Sequence, residues 1–249
     1  MKLFRFGLLL TLSILLTGCT QANLSSPTLL NTPTPLQPAP TSSSISLPSI
    51  IPTVSALPSS HLIDTFFVPQ APQKNWDQPW QDACEEAALL TVHYYYQSQN
   101  PSIDQMVVDY QNIFDFETRQ GWGHDVNLSQ LSSVADSLGY QSSIIANPTI
   151  DQIKSYISQN IPIIVPANGK TLYRENKHFK SGGPWYHQIV ILGYDDNSQQ
   201  FTVHDVGTQF GAYFKYSYDL LLDSIHDWPE SGIKEDINQG EKSVLVLLK

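Results

Sequence analysis

Three residues far apart in the sequence have side chains that together can attack a carbonyl group. Cys84 supplies a thiol, His187 an imidazole that can take its proton, and Asp205 a carboxylate that can orient the imidazole. Cys84 is expected in the first turn of a helix, where unpaired backbone amides and the helix dipole favour a thiolate. Glu85 and Glu86 oppose that effect, so a strongly lowered thiol pKa requires a cationic partner.

Each of the three residues also has a structural interpretation. A lone cysteine is often a small buried apolar residue, and a histidine at the mouth of a strand is often held there by packing alone. An acid such as Asp205, shortly before Gly207, often belongs to a turn. The functional interpretation therefore depends on whether helix and strands bring the three together.

The nucleophile is expected at the start of a helix from Asp82 to Tyr96. Asp82 is the predicted N-cap, and Glu85, three residues later, is predicted to close a capping box. Ala87 and Leu90 continue the apolar spacing of a helix that packs on a core.

The imidazole and the carboxylate are expected on the two strands of one hairpin. Strands are predicted over 186–194 and 200–205, joined by a polar turn that begins at Asp195. If the tight turn is at Asp196-Asn197, two paired residues have numbers that sum to about 393. His187 then lies opposite Val206, within one position of Asp205. Neighbouring side chains on paired strands lie within about 8 Å, so an imidazole–carboxylate contact is expected.

The remaining elements predict the fold class. Helices come first and most strands later, which is an α+β order with N-terminal helices packed on a mostly antiparallel sheet. Further helices are expected at 103–113, 127–138, 149–159 and 217–225, and further strands at 62–68, 140–146, 161–166, 211–216 and 244–248.

The N-terminal segment is predicted to contain a secretion signal followed by a tether. Residues 1–18 combine a basic start with a short apolar run and are predicted to be a signal peptide. The run ends in Leu-Thr-Gly followed by Cys19, which resembles a bacterial lipobox, so Cys19 is the expected lipidation site (palmitate included). Residues 19–60 are rich in Pro, Ser and Thr and are expected to form a disordered tether. The folded domain is expected at 61–249, as a monomer held by the lipid at an extracytoplasmic membrane face.

Composition excludes several classes of function. The net charge of −10, from 13 basic and 23 acidic residues, argues against nucleic acid as a partner. Two cysteines are too few for a disulfide scaffold, and the histidines lack the spacing of a zinc site. No metal and no cofactor are expected.

A family resemblance is carried by several motifs in a fixed order. Residues 65–230 resemble the C39-like cysteine peptidases, founded on the bacteriocin-processing (double-glycine leader) peptidases within the papain-like superfamily. The motifs are Val68-Pro-Gln-Ala-Pro, Asn75-Trp, Gln81-Asp-Ala-Cys-Glu-Glu-Ala, His187-Gln-Ile-Val-Ile-Leu-Gly-Tyr-Asp-Asp and His204-Asp-Val-Gly-Thr. The resemblance implies a papain-like fold, with Cys84 as nucleophile, His187 as general base and acid, and Asp205 as its orienter.

The resemblance also implies a glutamine in the oxyanion hole. Spacing to the cysteine points to Gln78, whereas a motif of the branch with Cys-Glu-Glu-Ala points to Gln70; Gln81 is a weaker third choice. Founding members follow the cysteine with Gly-Pro, where this chain has Glu85 and Glu86. A transporter portion is missing from this sequence, which disfavours a role in bacteriocin export.

The sequence thus predicts a lipid-anchored thiol hydrolase that cleaves peptide or amide bonds of a peptide or protein substrate through an acyl-enzyme. Two alternatives stay open. One is a binding or adhesion module that keeps the papain-like frame without turnover, and the other is an acyl transferase of the transglutaminase type.

Overall fold

A computed structural model of the protein describes residues 56–249. The predicted signal peptide 1–18, the predicted lipidation site Cys19 and most of the tether 19–60 lie outside the described residues. Among the helices of the described part, none combines the length and the hydropathy that a membrane span requires.

Residues 56–249 contain six α-helices and seven strands. The helices are α1 (Cys84–Gln97), α2 (Ile103–Gln120), α3 (Leu128–Ser137), α4 (Ile150–Ser158), α5 (Gly169–Leu172) and α6 (Tyr218–Ser224). The strands are β1 (Ser60–Leu62), β2 (Gln141–Ala146), β3 (Ile163–Ala167), β4 (His187–Asp195), β5 (Gln200–Asp205), β6 (Phe214–Ser217) and β7 (Ser243–Leu248).

The strands form one antiparallel sheet in the order β2-β7-β3-β4-β5-β6, and β1 pairs with β4 off this path. Helices α1 to α3 precede every strand except β1 in sequence, and α1 packs directly on β4. The prediction of an α+β fold with N-terminal helices on an antiparallel sheet is confirmed.

Helix starts follow the side chains that cap them. Ser102 Oγ accepts a hydrogen bond from a first-turn amide of α2, and Asn127 and Thr149 form capping boxes at α3 and α4. The three helices predicted there are confirmed, although α2 continues past the expected end to Gln120. It ends where Gly121 adopts the left-handed conformation that closes a helix.

The start of α1 differs from the prediction. Asp82 is not the N-cap: it ends a short 3₁₀ turn that begins at Trp80, and Ala83 precedes the helix without a side-chain cap. The predicted capping box is therefore wrong. Glu85 is turned into the protein interior, where it has other partners.

Two strand boundaries are also corrected. The first strand was expected over 62–68, but β1 covers Ser60–Leu62, and the chain beyond it turns into the core, where Val68 is fully buried. The strand expected over 211–216 is β6, which begins at Phe214. The preceding residues form a turn in which Gly211 O accepts a hydrogen bond from the backbone of Asp205.

The hairpin of β4 and β5 is confirmed, with a different register. Asp195 pairs with Gln200 around a four-residue loop, and an irregularity lies between Ile191 and Gly193. As a result Asp205 pairs with Ile189, whereas the predicted register would pair it with Gln188. Residues 187 and 189 share one face of a strand, so the observed register puts His187 and Asp205 on the same side of the sheet.

The core lies between α1 and the central strands. All five residues of β3 are buried, as its continuous apolar run predicted, and so are the first eight of β4. On β5 the buried residues Phe201 and Val203 alternate with the less buried Gln200 and Thr202, so shifting this strand by one residue would turn its apolar side chains outward.

Candidate active site

Cys84 is the first residue of α1 and is 5% exposed. Its Sγ donates a hydrogen bond to Glu85 Oε2 over 3.0 Å. Burial raises the pKa of the Cys84 thiol well above its usual range, and the carboxyl groups of Glu85, Glu86 and Asp125 raise it further. In this conformation Cys84 is a neutral thiol.

His187 and Asp205 form a buried pair. His187 begins β4, Asp205 ends β5, and the Nε2–Oδ1 distance between them is 2.8 Å. Both side chains are at most 2% exposed. The imidazole is therefore fixed through Nε2, which leaves Nδ1 to face another group.

Two further side chains complete the environment of Asp205. Its Oδ2 accepts hydrogen bonds from Tyr216 OH (2.6 Å) and Asn176 Nδ2 (2.9 Å), and both donors are fully buried. Burial alone would raise the pKa of Asp205, but His187 and these two donors hold it below its ordinary value. Asp205 is thus an ionised carboxylate with all of its contacts supplied by the protein.

The imidazole ring is held in place by packing as well. The Phe179 ring meets it edge-on, with 5.2 Å between ring centroids. On another side lies Gly207, where an added Cβ would come within 2.7 Å of His187 Cε1. A side chain at position 207 would therefore push the imidazole away from Asp205.

Two links join the cysteine half of the site to the histidine half. Val126 donates its N–H to Glu85 Oε1, and its carbonyl accepts a hydrogen bond from Tyr186, the residue before His187. The backbone N–H of buried Gln70 donates to Val206 O, and its side chain donates to the backbone carbonyl of Gln81, in the turn before Cys84.

The structure does not join Cys84 directly to the imidazole. Among the described residues, the hydrogen bond of Cys84 Sγ goes to Glu85, and none links it to His187. The predicted His187–Asp205 contact is thus present, whereas Cys84 and His187 form no hydrogen bond in this conformation.

The three glutamines differ in what they bind. Gln70 donates both side-chain N–H groups to backbone carbonyls, those of Trp80 (3.1 Å) and Gln81 (2.7 Å). Gln78 is exposed and donates one N–H to Asp82 over 2.5 Å, which leaves its second N–H free of protein partners among the described residues. Gln81 is exposed, and its role here is to offer its carbonyl to Gln70.

Four buried or half-buried carboxyl groups on α1, on α2 and in the loop before α3 have raised pKa values. Burial raises the pKa values of Glu85, Glu86 and Glu117, the last to about 7, and that of Asp125 to about 6. Glu86 Oε2 and Glu117 Oε1 are buried without a hydrogen-bond partner in the described part of the chain. Residues 56–249 contain no cluster of three or more ligands that suits a metal ion.

Comparison with known proteins places this arrangement in a family. The model of the Peptidase_C39 like family matches residues 67–232, well over half of the chain. The chain belongs to the Peptidase_C39 like family.

One solved structure with detectable similarity is a crystal structure of a candidate C39-like peptidase from Bacillus anthracis. It shares 13% sequence identity with this chain, and the match covers 50% of this chain and 60% of that one with a TM-score of 0.33. The similarity thus spans less than two thirds of that relative. No curated protein matches the chain.

Family membership agrees with the sequence motifs and leaves their chemistry to be argued from the site. The sequence offered no signal for Asn176 or Tyr216, because they reach Asp205 from a loop and from β6. Glu85 was expected to oppose a thiolate and to close a capping box, whereas the structure shows it accepting a hydrogen bond from Cys84 Sγ.

Proposed function

We propose that the protein is a cysteine peptidase that cleaves peptide or amide bonds through Cys84, His187 and Asp205. The observation that carries the proposal is the buried His187–Asp205 pair beside the helix that begins at Cys84. An imidazole held by an ionised carboxylate is oriented for proton transfer, and a cysteine at a helix start can become its nucleophile.

The reaction begins when the Cys84 thiol leaves Glu85 and gives its proton to His187 Nδ1. The sulfur then forms a bond to the substrate carbonyl carbon, and His187 returns the proton to the leaving nitrogen as the C–N bond breaks. Water, deprotonated by His187, attacks the resulting thioester, which releases the carboxylic acid and restores the thiol. Asp205 stabilises the imidazolium in both halves of the reaction.

Gln78 is the side chain that we assign to the oxyanion, together with the backbone N–H of Cys84. Gln78 has an uncommitted N–H near the start of α1, whereas both N–H groups of Gln70 are taken by carbonyls. The first amides of a helix have no partner within it, so the Cys84 N–H suits the second donor. Gln70 then serves to hold the turn that presents the nucleophile.

A peptide-library cleavage assay tests this function. The chain is expected to cleave members of the library, the Cys84→Ala variant to cleave none, and Gln78→Ala to cleave the same bonds about 100-fold more slowly. Equal cleavage by the chain and Cys84→Ala would reject the assignment. Incorporation of an added amine into products would instead identify the acyl transferase.

The binding module stays a second candidate because the thiol is protonated and nearly covered in this conformation. It predicts that neither the chain nor Cys84→Ala cleaves any library member, while both retain the same peptides. The cleavage assay therefore separates the two candidates.

The site of action is part of the same proposal and is supported by the sequence alone. Lipid on Cys19 would hold the domain at an extracytoplasmic membrane face. Cys19→Ala is expected to move the chain from the membrane fraction to the soluble fraction, and an unchanged distribution would contradict the anchor.

A further inference from the structure

Glu85, the residue after Cys84, is the hydrogen-bond partner of the Cys84 sulfur. Glu85 is fully buried, its Oε2 accepts the Cys84 S–H over 3.0 Å, and its Oε1 accepts the Val126 N–H over 3.2 Å. Both carboxyl oxygens accept from protein donors, and these hydrogen bonds favour the carboxylate form, against the rise in the Glu85 pKa that burial and the nearby Asp125 carboxyl cause. A buried charge with two such partners is a built part of the site rather than a solvated surface group.

We propose that Glu85 is a positioning residue of the thiol centre: one oxygen holds the Cys84 proton, the other fastens Glu85 to the loop before α3, and the sulfur rests as a neutral thiol without a hydrogen bond to His187. This inference rests on the proposed function for its meaning in catalysis. It adds a resting state from which the thiol must be released before it can meet the imidazole.

Electrostatic repulsion explains why the contact with Glu85 favours the neutral thiol over the thiolate. A thiolate next to the Glu85 carboxylate would bring two negative charges into contact in a buried region, where they are poorly screened. The same region holds further titratable groups from the neighbouring elements: Glu86 on α1, Tyr110 on α2, Asp125 before α3 and Tyr186 before β4. None of these four groups carries a positive charge that would favour the thiolate.

Replacing Glu85 with glutamine separates charge from shape. In Glu85→Gln, the amide oxygen can still accept the Val126 N–H, and the amide nitrogen can donate to a thiolate. The contact that favours the thiol in the parent is thereby converted into one that favours the thiolate. Glu85→Asp keeps the charge in the same place in the sequence and serves as the conservative variant.

The test is the pH profile of Cys84 alkylation by iodoacetamide, with every variant made in full-length Cys19→Ala protein so that Cys84 is the single thiol. Glu85→Gln is expected to move the midpoint down by at least about one pH unit, which raises the alkylation rate near neutral pH about tenfold. Glu85→Asp should keep the midpoint of the parent. Asp125→Asn removes a carboxyl that makes no hydrogen bond to Cys84 or to the Val126 N–H among the described residues, so it should shift the midpoint less than Glu85→Gln does.

A profile of Glu85→Gln that coincides with the parent, or lies at higher pH, would overturn the inference. A measurement without any Glu85 variant guards against misfolding: the infrared S–H band, isolated by subtracting the Cys84→Ala spectrum. We expect the lowered frequency of a hydrogen-bonded S–H group, and the frequency of a free thiol would also refute the proposal. Because neither experiment uses substrate, its outcome is independent of whether the library assay detects peptidase activity.

Discussion

At the scale of single residues, the carboxylate of Asp205 is the most completely satisfied group of the site. It receives His187 on one oxygen and both Tyr216 and Asn176 on the other. Hydrogen bonds to a charged group contribute about 1.5–3 kcal/mol each, more than those between neutral groups. The network therefore stabilises the fold and orients the imidazole at the same time.

Tyr216→Phe removes one donor from Asp205 and leaves the aromatic ring in place. A lowered carboxyl pKa contributes stability that is present above the ordinary value near 4 and is lost as the pH falls through the folded value. We therefore expect the variant to lose about 2 kcal/mol of unfolding free energy at pH 7 and less near pH 3, as measured by urea denaturation.

Tyr218→Phe is the matched control, because its hydroxyl donates to Asp196 on the hairpin loop, outside the site. Tyr218→Phe should lose less stability and leave the proposed peptidase activity unchanged, whereas Tyr216→Phe should lower the kcat/KM of that activity about tenfold. Equal effects of the two variants would show that the Tyr216 hydroxyl has no special relation to the His187–Asp205 pair.

At the scale of elements, the sequence predicts what depends on local patterns. The helices predicted over 103–113, 127–138 and 149–159 are α2, α3 and α4, each of which begins beside a capping side chain, and a polar turn between two apolar runs located the hairpin that carries His187 and Asp205. The register within that hairpin could not be predicted, because it depends on a four-residue loop and an irregularity near Gly193. The approach of Asn176 and Tyr216 depends on tertiary packing.

The contact between α1 and α2 has a second consequence that local patterns do not reveal. Glu86 on α1 and Glu117 on α2 meet in the interior, and burial raises the pKa of Glu117 to about 7. A raised carboxyl pKa contributes stability below the ordinary value near 4.5, and that contribution is lost as the pH rises toward 7. The pair therefore makes the packing of the two helices sensitive to pH.

Glu117→Gln should remove much of this sensitivity. Between pH 5 and pH 8 the parent is expected to lose about 2 kcal/mol more unfolding free energy than the variant, as measured by urea denaturation at both values. Asp115→Asn is the control on the same helix, since Asp115 is exposed and bonds only Gln111 among the described residues. A parent and a Glu117→Gln variant with parallel pH profiles would contradict the assignment of this sensitivity to Glu117.

At the scale of the whole molecule, the folded unit begins before residue 61, the boundary expected from composition. Pro58 O accepts a hydrogen bond from Tyr194 OH, and Ser59 O accepts one from the Asp196 amide. β1 then pairs with β4, and Ile63, which follows it, is 2% exposed. The end of the tether is therefore part of the sheet that carries the histidine.

Removing this segment should destabilise the domain. A fragment of residues 64–249 lacks the β1 ladder and the buried Ile63 that a fragment of residues 56–249 retains. Loss of one buried aliphatic side chain and several hydrogen bonds is expected to lower the unfolding free energy by about 3 kcal/mol in urea denaturation. Fragments of equal stability would show that β1 only lies on the sheet without supporting it.

Gly193→Ala separates the contact of β1 from a general effect of shortening the chain. A Cβ at position 193 would lie 2.7 Å from the carbonyl oxygen of His61, because β1 passes close to β4 at this point. The substitution should therefore destabilise residues 56–249 by more than it destabilises residues 64–249, in which His61 is absent. An equal loss in both fragments would place the strain within β4 itself, so the double-mutant comparison measures how closely the start of the domain is built into the strand that begins at His187.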